Sequence, residues 1–225
     1  MYKLLSLLVI SFFLFPSSTY AQQQFNYLAL GDSYTIGESV APSLRWPVQL
    51  VDSLNTSNKS QYNPPQIIAR TGWTTSELQK AIEESTISET YDLVSLLIGV
   101  NNQYRGYDIE LYRVEFRALL EKSIYFAGND TSRVFVVSIP NYGVTPFGIR
   151  KGEEKIRKEL LEYDKIAEQI SSEYGIPFVN ITPISERAKT DSSLIANDQL
   201  HPSGKMYSEW VHKILPVVKF LLSEY

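Results

Sequence analysis

The strongest constraint on the fold of this sequence is a series of five short apolar runs. A segment of helical periodicity separates each run from the next. The runs lie at 27–30, 66–70, 92–99, 133–140 and 176–181. Their hydrophobicity is continuous rather than alternating, which is typical of strands covered on both faces. The helical patterns follow the strands in turn, at 46–54, 75–85, 109–128 and 152–175, and a last one runs from 204 to the end with Pro216 expected to bend or break it.

This alternation predicts an α/β fold, a three-layer α/β/α sandwich built on a parallel sheet of about five strands. We expect a single domain over residues 22–225, because the sequence shows no linker, repeat or low-complexity tract. In such folds the functional groups gather beyond the carboxyl ends of the strands. Side chains that follow different strands are therefore expected to meet at one edge of the sheet.

The first 21 residues are read as a signal peptide rather than as part of the domain. They contain Lys3, an apolar run from Leu4 to Phe15, and small residues before a cleavage site after Ala21. An uncleaved membrane anchor is the alternative, although the run is short for a comfortable membrane span. The expectation is a secreted or periplasmic protein without stable membrane insertion after cleavage, held together without disulfides because the chain has no cysteine.

Composition excludes several classes of partner and cofactor. The net charge is −4, with no block of like charges, so the sequence lacks the basic footprint of a nucleic-acid-binding protein. The absence of cysteine and the presence of only two histidines make a zinc site improbable. There is no phosphate-binding glycine loop and no dinucleotide fingerprint, and no cofactor is expected.

Four chemically suggestive segments follow the predicted strands. Ser33 follows the first strand, Gly72 the second and Asn101 the third, while Asp198 and His201 lie between the fifth strand and the last helix. The predicted topology brings all of them to the carboxyl edge of the sheet. They are therefore candidates for a single site.

Three of these residues have the chemistry of nucleophilic catalysis. A serine hydroxyl attacks a carbonyl only when a base accepts its proton, and histidine titrates in the range that this role needs. His201 lies at a helix entrance, whereas His212 lies inside the last helix and is expected to be structural or exposed. Asp198, three residues before His201, can hold one ring nitrogen and stabilise the imidazolium, with Ser33 as nucleophile.

The developing negative charge on an attacked carbonyl also needs hydrogen-bond donors. The backbone N–H groups of Ser33 and Gly72 and the side-chain amide of Asn101 can supply three of them. Gly72 suits this role because it has no Cβ to block the approach of a substrate. These residues are the predicted oxyanion hole.

The motifs "GDSY", "RTGWTT", "GVNN" and "DQLHPS" together make the sequence similar to the SGNH, or GDSL-type, hydrolases. The resemblance covers the chain from about residue 25 to its end and implies a flavodoxin-like fold. It also implies the roles already given to Ser33, Gly72, Asn101 and His201, with Asp198 orienting the histidine. Two positions depart from the family pattern, Tyr34 after the serine and Asn102 where an aspartate is usual.

Other interpretations of single motifs remain open. Gly31-Asp32-Ser33 can be a simple turn, and Asp198 can be no more than a helix cap. Asp32 is expected to bond backbone near the turn rather than to act as an acid. Asn102 rather than Asn101 can be the functional amide. A rival serine, Ser39 in "GESVA", resembles a nucleophile elbow but lacks the strand and second glycine of that motif.

The sequence therefore predicts a secreted serine esterase that hydrolyses carboxylic esters through an acyl-enzyme on Ser33. Short acyl groups or acetylated carbohydrates are favoured as substrates because no long apolar insertion predicts a lid. The alternatives are an acyltransferase with the same site, a lipid esterase of the lysophospholipase type, and a binding module with a disabled site. Segments 103–107 and 140–152 are expected to line the pocket, and the oligomeric state is not predicted.

Overall fold

The computed structural model describes residues 24–57, 61–85, 87 and 90–223. The predicted signal peptide, and hence the predicted domain boundary after residue 21, lies outside these residues. The strands and helices follow one another in this order: β1 (Gln24–Phe25), β2 (Tyr27–Gly31), α1 (Ser33–Ile36), α2 (Trp46–Ser57), β3 (Gln61–Tyr62), β4 (Gln66–Ala69), α3 (Thr75–Glu84), β5 (Leu93–Leu97), α4 (Val100–Tyr104), α5 (Ile109–Phe126), β6 (Val134–Val137), α6 (Pro146–Glu173), β7 (Phe178–Val179), α7 (Thr182–Glu186) and α8 (Gly204–Ser223).

Five of the strands form one parallel sheet in the order β4-β2-β5-β6-β7. They coincide with the five apolar runs of the sequence. Every residue of β2, β5 and β6 is buried, as continuous hydrophobicity predicts for strands covered on both faces. The short strands β1 and β3 form a separate parallel pair.

Helices cover both faces of the sheet and complete the predicted three-layer sandwich. Helix α2 packs against α8, and α5 packs between α3 and α6. The largest fully buried side chains include Trp46 of α2, Trp210 of α8 and Phe135 of β6. Within the described ranges no helix combines the length and the apolar character that a membrane span needs.

The main differences from the sequence-based expectations concern helices α6 and α8. Helix α6 begins at Pro146 rather than at residue 152, and Gly152 interrupts it with a φ of 107°. Proline is favoured at the first position of a helix, and the Thr145 hydroxyl accepts the Gly148 N–H there. Helix α8 continues through Pro216 to Ser223, so the expected break does not occur.

The strand order places a crevice between β2 and β5. From β2 the chain crosses to β4 on one side, and from β5 it crosses to β6 on the other. Ligands bind such sheets at the point where the crossovers diverge, beyond the carboxyl ends of the strands. Ser33 follows β2 and Asn101 follows β5, so both lie at this point.

Candidate active site

The turn after β2 presents Ser33 at the start of α1, with 5% of its surface exposed. Gly31 is required by its neighbours, because a Cβ there would lie 2.5 Å from the Leu97 carbonyl oxygen. The Asp32 carboxylate accepts the Tyr34 N–H at 3.0 Å and caps the helix. Asp32 thus bonds nearby backbone, as the sequence predicts, and it fixes the start of α1 where Ser33 sits.

The loop before α8 holds Asp198 and His201 together. One carboxylate oxygen of Asp198 accepts the backbone N–H groups of Leu200 and His201, each at 3.0 Å. The other, Oδ2, lies 2.6 Å from His201 Nδ1 and accepts the Ser39 hydroxyl at 2.7 Å. Asp198 therefore stabilises the loop through one carboxylate oxygen and holds the His201 ring through the other.

These contacts keep Asp198 ionised. Partial burial raises the pKa of its carboxyl, but hydrogen bonds from the His201 ring, the Ser39 hydroxyl and two backbone N–H groups outweigh that effect and lower the pKa to about 2. His201 is 8% exposed, and the edge of its ring meets the Tyr34 ring at a centroid distance of 5.6 Å. A fixed carboxylate thus faces one ring nitrogen, and an aromatic wall limits rotation of the imidazole.

Gly72 follows β4 and Asn101 follows β5, the two strands that flank β2 in the sheet. Gly72 has a φ of 88°, a left-handed conformation that glycine adopts without strain. The Asn101 side-chain amide donates to the Trp73 carbonyl at 2.9 Å. An amide nitrogen has two protons, so this bond fixes the group and leaves one donor.

The neighbouring residue Asn102 is placed differently. It is fully buried, its oxygen accepts the Thr75 N–H at 3.0 Å, and its nitrogen donates to the Thr75 hydroxyl at 2.6 Å. Both ends of this amide are thus bonded to the start of α3. Asn102 supports the loop, and Asn101 is the amide of the pair that reaches the cleft.

A cleft of about 210 Å³ brings the predicted residues together. Ser33, Gly72, Asn101 and His201 all line it, although they come from four separate segments of the chain. The remaining wall is largely aromatic and aliphatic, and it consists of Tyr34, Thr71, Val100, Tyr104, Tyr142, Phe147 and Leu200. Asp198 stands behind His201.

Only some residues of the two segments predicted to line the pocket, 103–107 and 140–152, lie in the cleft. Tyr104, Tyr142 and Phe147 line the cleft, whereas Arg150 is exposed on α6. Arg105 lies outside the cleft and donates to the Gly72 carbonyl at 2.6 Å. This support of the Gly72 loop is not predictable from the sequence, because an arginine in a loop carries no signal of its partner.

Ser39 also has a position that the sequence did not predict. It is not presented as a nucleophile, and its hydroxyl instead donates to Asp198. The distance of 159 residues between the two positions hides such a contact from sequence reasoning. The only available signal was its closeness to the turn that carries Ser33.

A parallel sheet with a serine, a histidine and an aspartate beyond its carboxyl edge is typical of serine hydrolases. The model of the GDSL-like lipase/acylhydrolase family matches residues 29–208. The match covers most of the chain, so this protein belongs to that family. Membership confirms the resemblance drawn from the four motifs and the predicted class, a GDSL-type ester hydrolase.

A curated relative is the acetylxylan esterase of Geobacillus stearothermophilus, which is 28% identical over 141 residues. That alignment covers 59% of this chain and 61% of the relative, so this chain matches less than two thirds of the relative's length.

Solved structures agree in fold. TesA superposes with a TM-score of 0.69 at 15% identity, covering 88% of this chain and 99% of its own. A variant of Axe2, an acetyl xylan esterase from Geobacillus stearothermophilus, has a TM-score of 0.67 at 21% identity, with 87% and 95% covered. The esterase EstA from Pseudoalteromonas sp. gives 0.66 at 18% identity, with 88% and 98% covered. These likenesses confirm the predicted α/β fold.

Proposed function

We propose that this protein is a secreted serine esterase that removes short acyl groups, with acetylated carbohydrates as its favoured substrates. The observation that carries the proposal is the meeting of Ser33, Gly72, Asn101 and His201 in one cleft, with Asp198 held against the imidazole. Membership of the GDSL-like family supports ester hydrolysis as the reaction. Secretion rests on the signal-like sequence of residues 1–21.

In the proposed reaction, Ser33 Oγ attacks the ester carbonyl while His201 accepts the hydroxyl proton. Charge on the carbonyl oxygen is stabilised by the N–H groups of Ser33 and Gly72 and by the amide of Asn101. The intermediate expels the alcohol, which takes the proton from His201, and the acyl group stays on Ser33. Water then attacks the acyl-enzyme and gives a proton to His201. His201 passes that proton to Ser33 Oγ as the acyl–serine bond breaks, which releases the carboxylic acid and the free serine.

The size of the cleft supports the preference for short acyl groups. Pockets that hold drug-sized ligands measure about 300–1,000 Å³, and this cleft measures about 210 Å³. The bulky side chains of Phe147 and Tyr142 line this cleft, and its small volume leaves little room for an extended acyl chain. The acetylxylan esterases among the relatives support acetylated carbohydrates as the substrate class.

The test compares Ser33→Ala and His201→Ala with the wild type on 4-nitrophenyl esters of two to twelve carbons. His212→Ala is the matched control, because His212 is the second histidine of the chain and is exposed on α8. We expect the first two variants to fold and to lose at least about 10³-fold in kcat, with the control unchanged. Folded Ser33→Ala with near-normal turnover would defeat the proposal.

Two further measurements narrow the reaction. A fluorophosphonate should label the wild type on a peptide that contains Ser33, and it should not label Ser33→Ala. Product analysis with competing alcohols and sugars should give mainly the free acid, and acyl transfer to the acceptor as the main product would identify an acyltransferase instead. Activity that rises steadily with acyl length would contradict the preference for short acyl groups.

A further inference from the structure

A second cavity, of about 730 Å³, adjoins the cleft and shares Tyr104 and Tyr142 with it. It runs between the segment from Gln103 to Ile109 and the face of α6 that carries Lys151, Lys155 and Glu159. We name this cavity the side groove. Its volume lies within the range of ligand-binding sites, so it has room for a substrate portion that the cleft cannot hold.

An aromatic surface continues from the cleft into the side groove. The Tyr104 ring lies 6.1 Å from the Phe147 ring and 6.4 Å from the Tyr142 ring, measured between centroids. Tyr104 and Tyr107 nevertheless remain 50% and 41% exposed. Exposed aromatic rings beside a cavity offer apolar faces for stacking together with a polar hydroxyl edge.

The rest of the side groove is polar and carries both signs of charge. The Tyr142 hydroxyl donates to Gln103 at 2.9 Å, and Gln103 donates to Glu159 at 2.7 Å. Lys155 lies 3.7 Å from Glu159, and Lys151 stands over the Phe147 ring. Covering these groups with hydrocarbon would remove them from water without new partners, which is costly.

A polyhydroxylated chain fits this surface better than a lipid, because its hydroxyl groups can bond the polar wall while its ring faces stack on tyrosine. We propose that the side groove binds the alcohol portion of the substrate, a neutral oligosaccharide whose ester group enters the cleft. This inference rests on the proposed function. It adds where the alcohol portion of the substrate binds and which chemical class of alcohol the enzyme selects. The mixed charge of the wall favours a neutral chain over an acidic one.

The first experiment measures kcat/KM on 4-nitrophenyl acetate and on acetylated xylo-oligosaccharides of one to four sugar units. We expect kcat/KM to rise about tenfold or more with chain length, mainly through KM, since each stacked unit adds binding energy. Tyr107→Ala should remove most of this rise, and Tyr107→Phe should keep it. Tyr125→Ala is the matched control, because Tyr125 is an exposed tyrosine of α5 outside both cavities.

The second experiment separates this inference from the proposed function. Unacetylated xylotetraose should bind Ser33→Ala in calorimetry, and the added substitution Tyr107→Ala should weaken that binding. One outcome would overturn the proposed role of the side groove and leave the proposed esterase activity standing. In that outcome the enzyme hydrolyses 4-nitrophenyl acetate, but kcat/KM does not depend on the number of sugar units and xylotetraose does not bind. A rise with acyl length in place of sugar length would also overturn that role, because hydrocarbon would then occupy the groove.

An independent observation concerns Ser39, whose backbone φ of 65° is unusual for a residue other than glycine. Its hydroxyl donates to Asp198 Oδ2 at 2.7 Å, the same oxygen that lies 2.6 Å from His201 Nδ1. Strained backbone conformations persist where the surrounding structure maintains them, and they concentrate at functional sites. Here the strained residue touches the carboxylate that orients the imidazole.

We infer that Ser39 is a positioning residue that fixes the Asp198 carboxylate and, through it, the ring of His201. The backbone N–H groups of Leu200 and His201 hold only the other carboxylate oxygen. The Ser39 hydroxyl therefore supplies the restraint on the oxygen that faces the ring. Its loss should lower kcat and leave KM unchanged, since Ser39 lies outside the cleft.

The test compares Ser39→Ala, which keeps the strained backbone, with Ser39→Gly, which relieves it. Both lose the hydroxyl, so we expect kcat to fall about tenfold in both while their melting temperatures differ. Ser193→Ala is the matched control, because the Ser193 hydroxyl also donates to an aspartate, Asp191, but away from the cleft. Unchanged kcat in either Ser39 variant, or a loss in Ser39→Ala alone, would overturn the inference.

Discussion

Two aspartates lie beside residues that line the cleft, and their surroundings shift the pKa values of their carboxyl groups in opposite directions. Asp32, below Ser33, is fully buried, and within the described residues its Oδ2 has no hydrogen-bond partner. Asp198, behind His201, is partly exposed, but both of its oxygens are bonded. Burial raises the pKa of Asp32 to about 7, whereas hydrogen bonds overcome partial burial and lower the pKa of Asp198 to about 2.

The comparison shows that the balance of burial against hydrogen-bond donors sets the pKa of each carboxyl, with burial dominating at Asp32 and the donors dominating at Asp198. In the proposed mechanism a charged partner suits the histidine, because it stabilises the imidazolium that forms during proton transfer. A carboxyl that can keep its proton suits the turn below Ser33, where a buried charge would be costly.

Asp198→Asn should have the largest effect on activity. We expect kcat to fall by about 10²–10⁴-fold, because a neutral amide cannot stabilise the imidazolium and can leave the wrong ring nitrogen protonated. Asp191→Asn is the matched control, since hydrogen bonds also lower the pKa of Asp191 to about 2, but away from the cleft. Steady-state kinetics should separate the two variants, and equal losses would mean that the Asp198 contact is only structural.

The neighbours Asn101 and Asn102 extend the contrast to two amides. Asn101→Ala should lower kcat by about 10²–10³-fold, as expected for loss of an oxyanion donor. Asn102→Ala should instead lower the free energy of unfolding by about 1–3 kcal/mol, because the buried Thr75 N–H loses its partner. Kinetics and urea denaturation of both variants check this, and the reverse pattern would assign the donor role to Asn102.

Asp32→Asn should change stability more than chemistry. The folded protein holds the Asp32 proton up to about pH 7, whereas the unfolded chain releases it near about pH 3.9. The folded state thus binds more protons between these values, and this group makes stability fall as pH rises through the window. Asp164, whose pKa burial also raises to about 7, acts in the same direction.

Above pH 7 the free energy of unfolding of the variant should therefore exceed that of the wild type by on the order of 2–4 kcal/mol. Urea denaturation measures this difference, which should shrink as the pH is lowered toward 4. Asp198 works in the opposite sense, since its stabilising contribution is present above about pH 4 and is lost as pH falls toward 2. An Asp32→Asn protein with the pH slope of the wild type would show that this carboxyl is ionised throughout.

The smallest expected effect is that of replacing Gly72, whose backbone N–H is a predicted oxyanion donor. Gly72→Ala places a side chain at a φ of 88°, which should cost about 1–2 kcal/mol of stability and shift the donor N–H. Gly175→Ala is the matched control, because Gly175 has a φ of 68° with open space around it at the end of α6. Both variants should lose similar stability, and only Gly72→Ala should lower kcat; equal kcat values would remove the Gly72 N–H from the mechanism.

The sequence predicted the sheet because continuous apolar runs leave few alternatives to buried parallel strands. It also predicted which residues reach the cleft, since the topology fixes where each strand ends. The predicted start of α6 was wrong, because Gly152 resembles a helix boundary in the sequence. The helix instead begins six residues earlier, at Pro146, where Thr145 caps it. The Ser39 and Arg105 contacts join distant segments, and no local pattern carries such information.

The position of Ser33 near one end of the chain and of His201 near the other has a consequence for biogenesis. The histidine loop follows the last strand and leads directly into α8, which packs on α2. A nascent polypeptide thus carries the proposed nucleophile before it carries the proposed base. Under the proposed mechanism such a polypeptide is inert, so turnover would report that the last segment is present and folded.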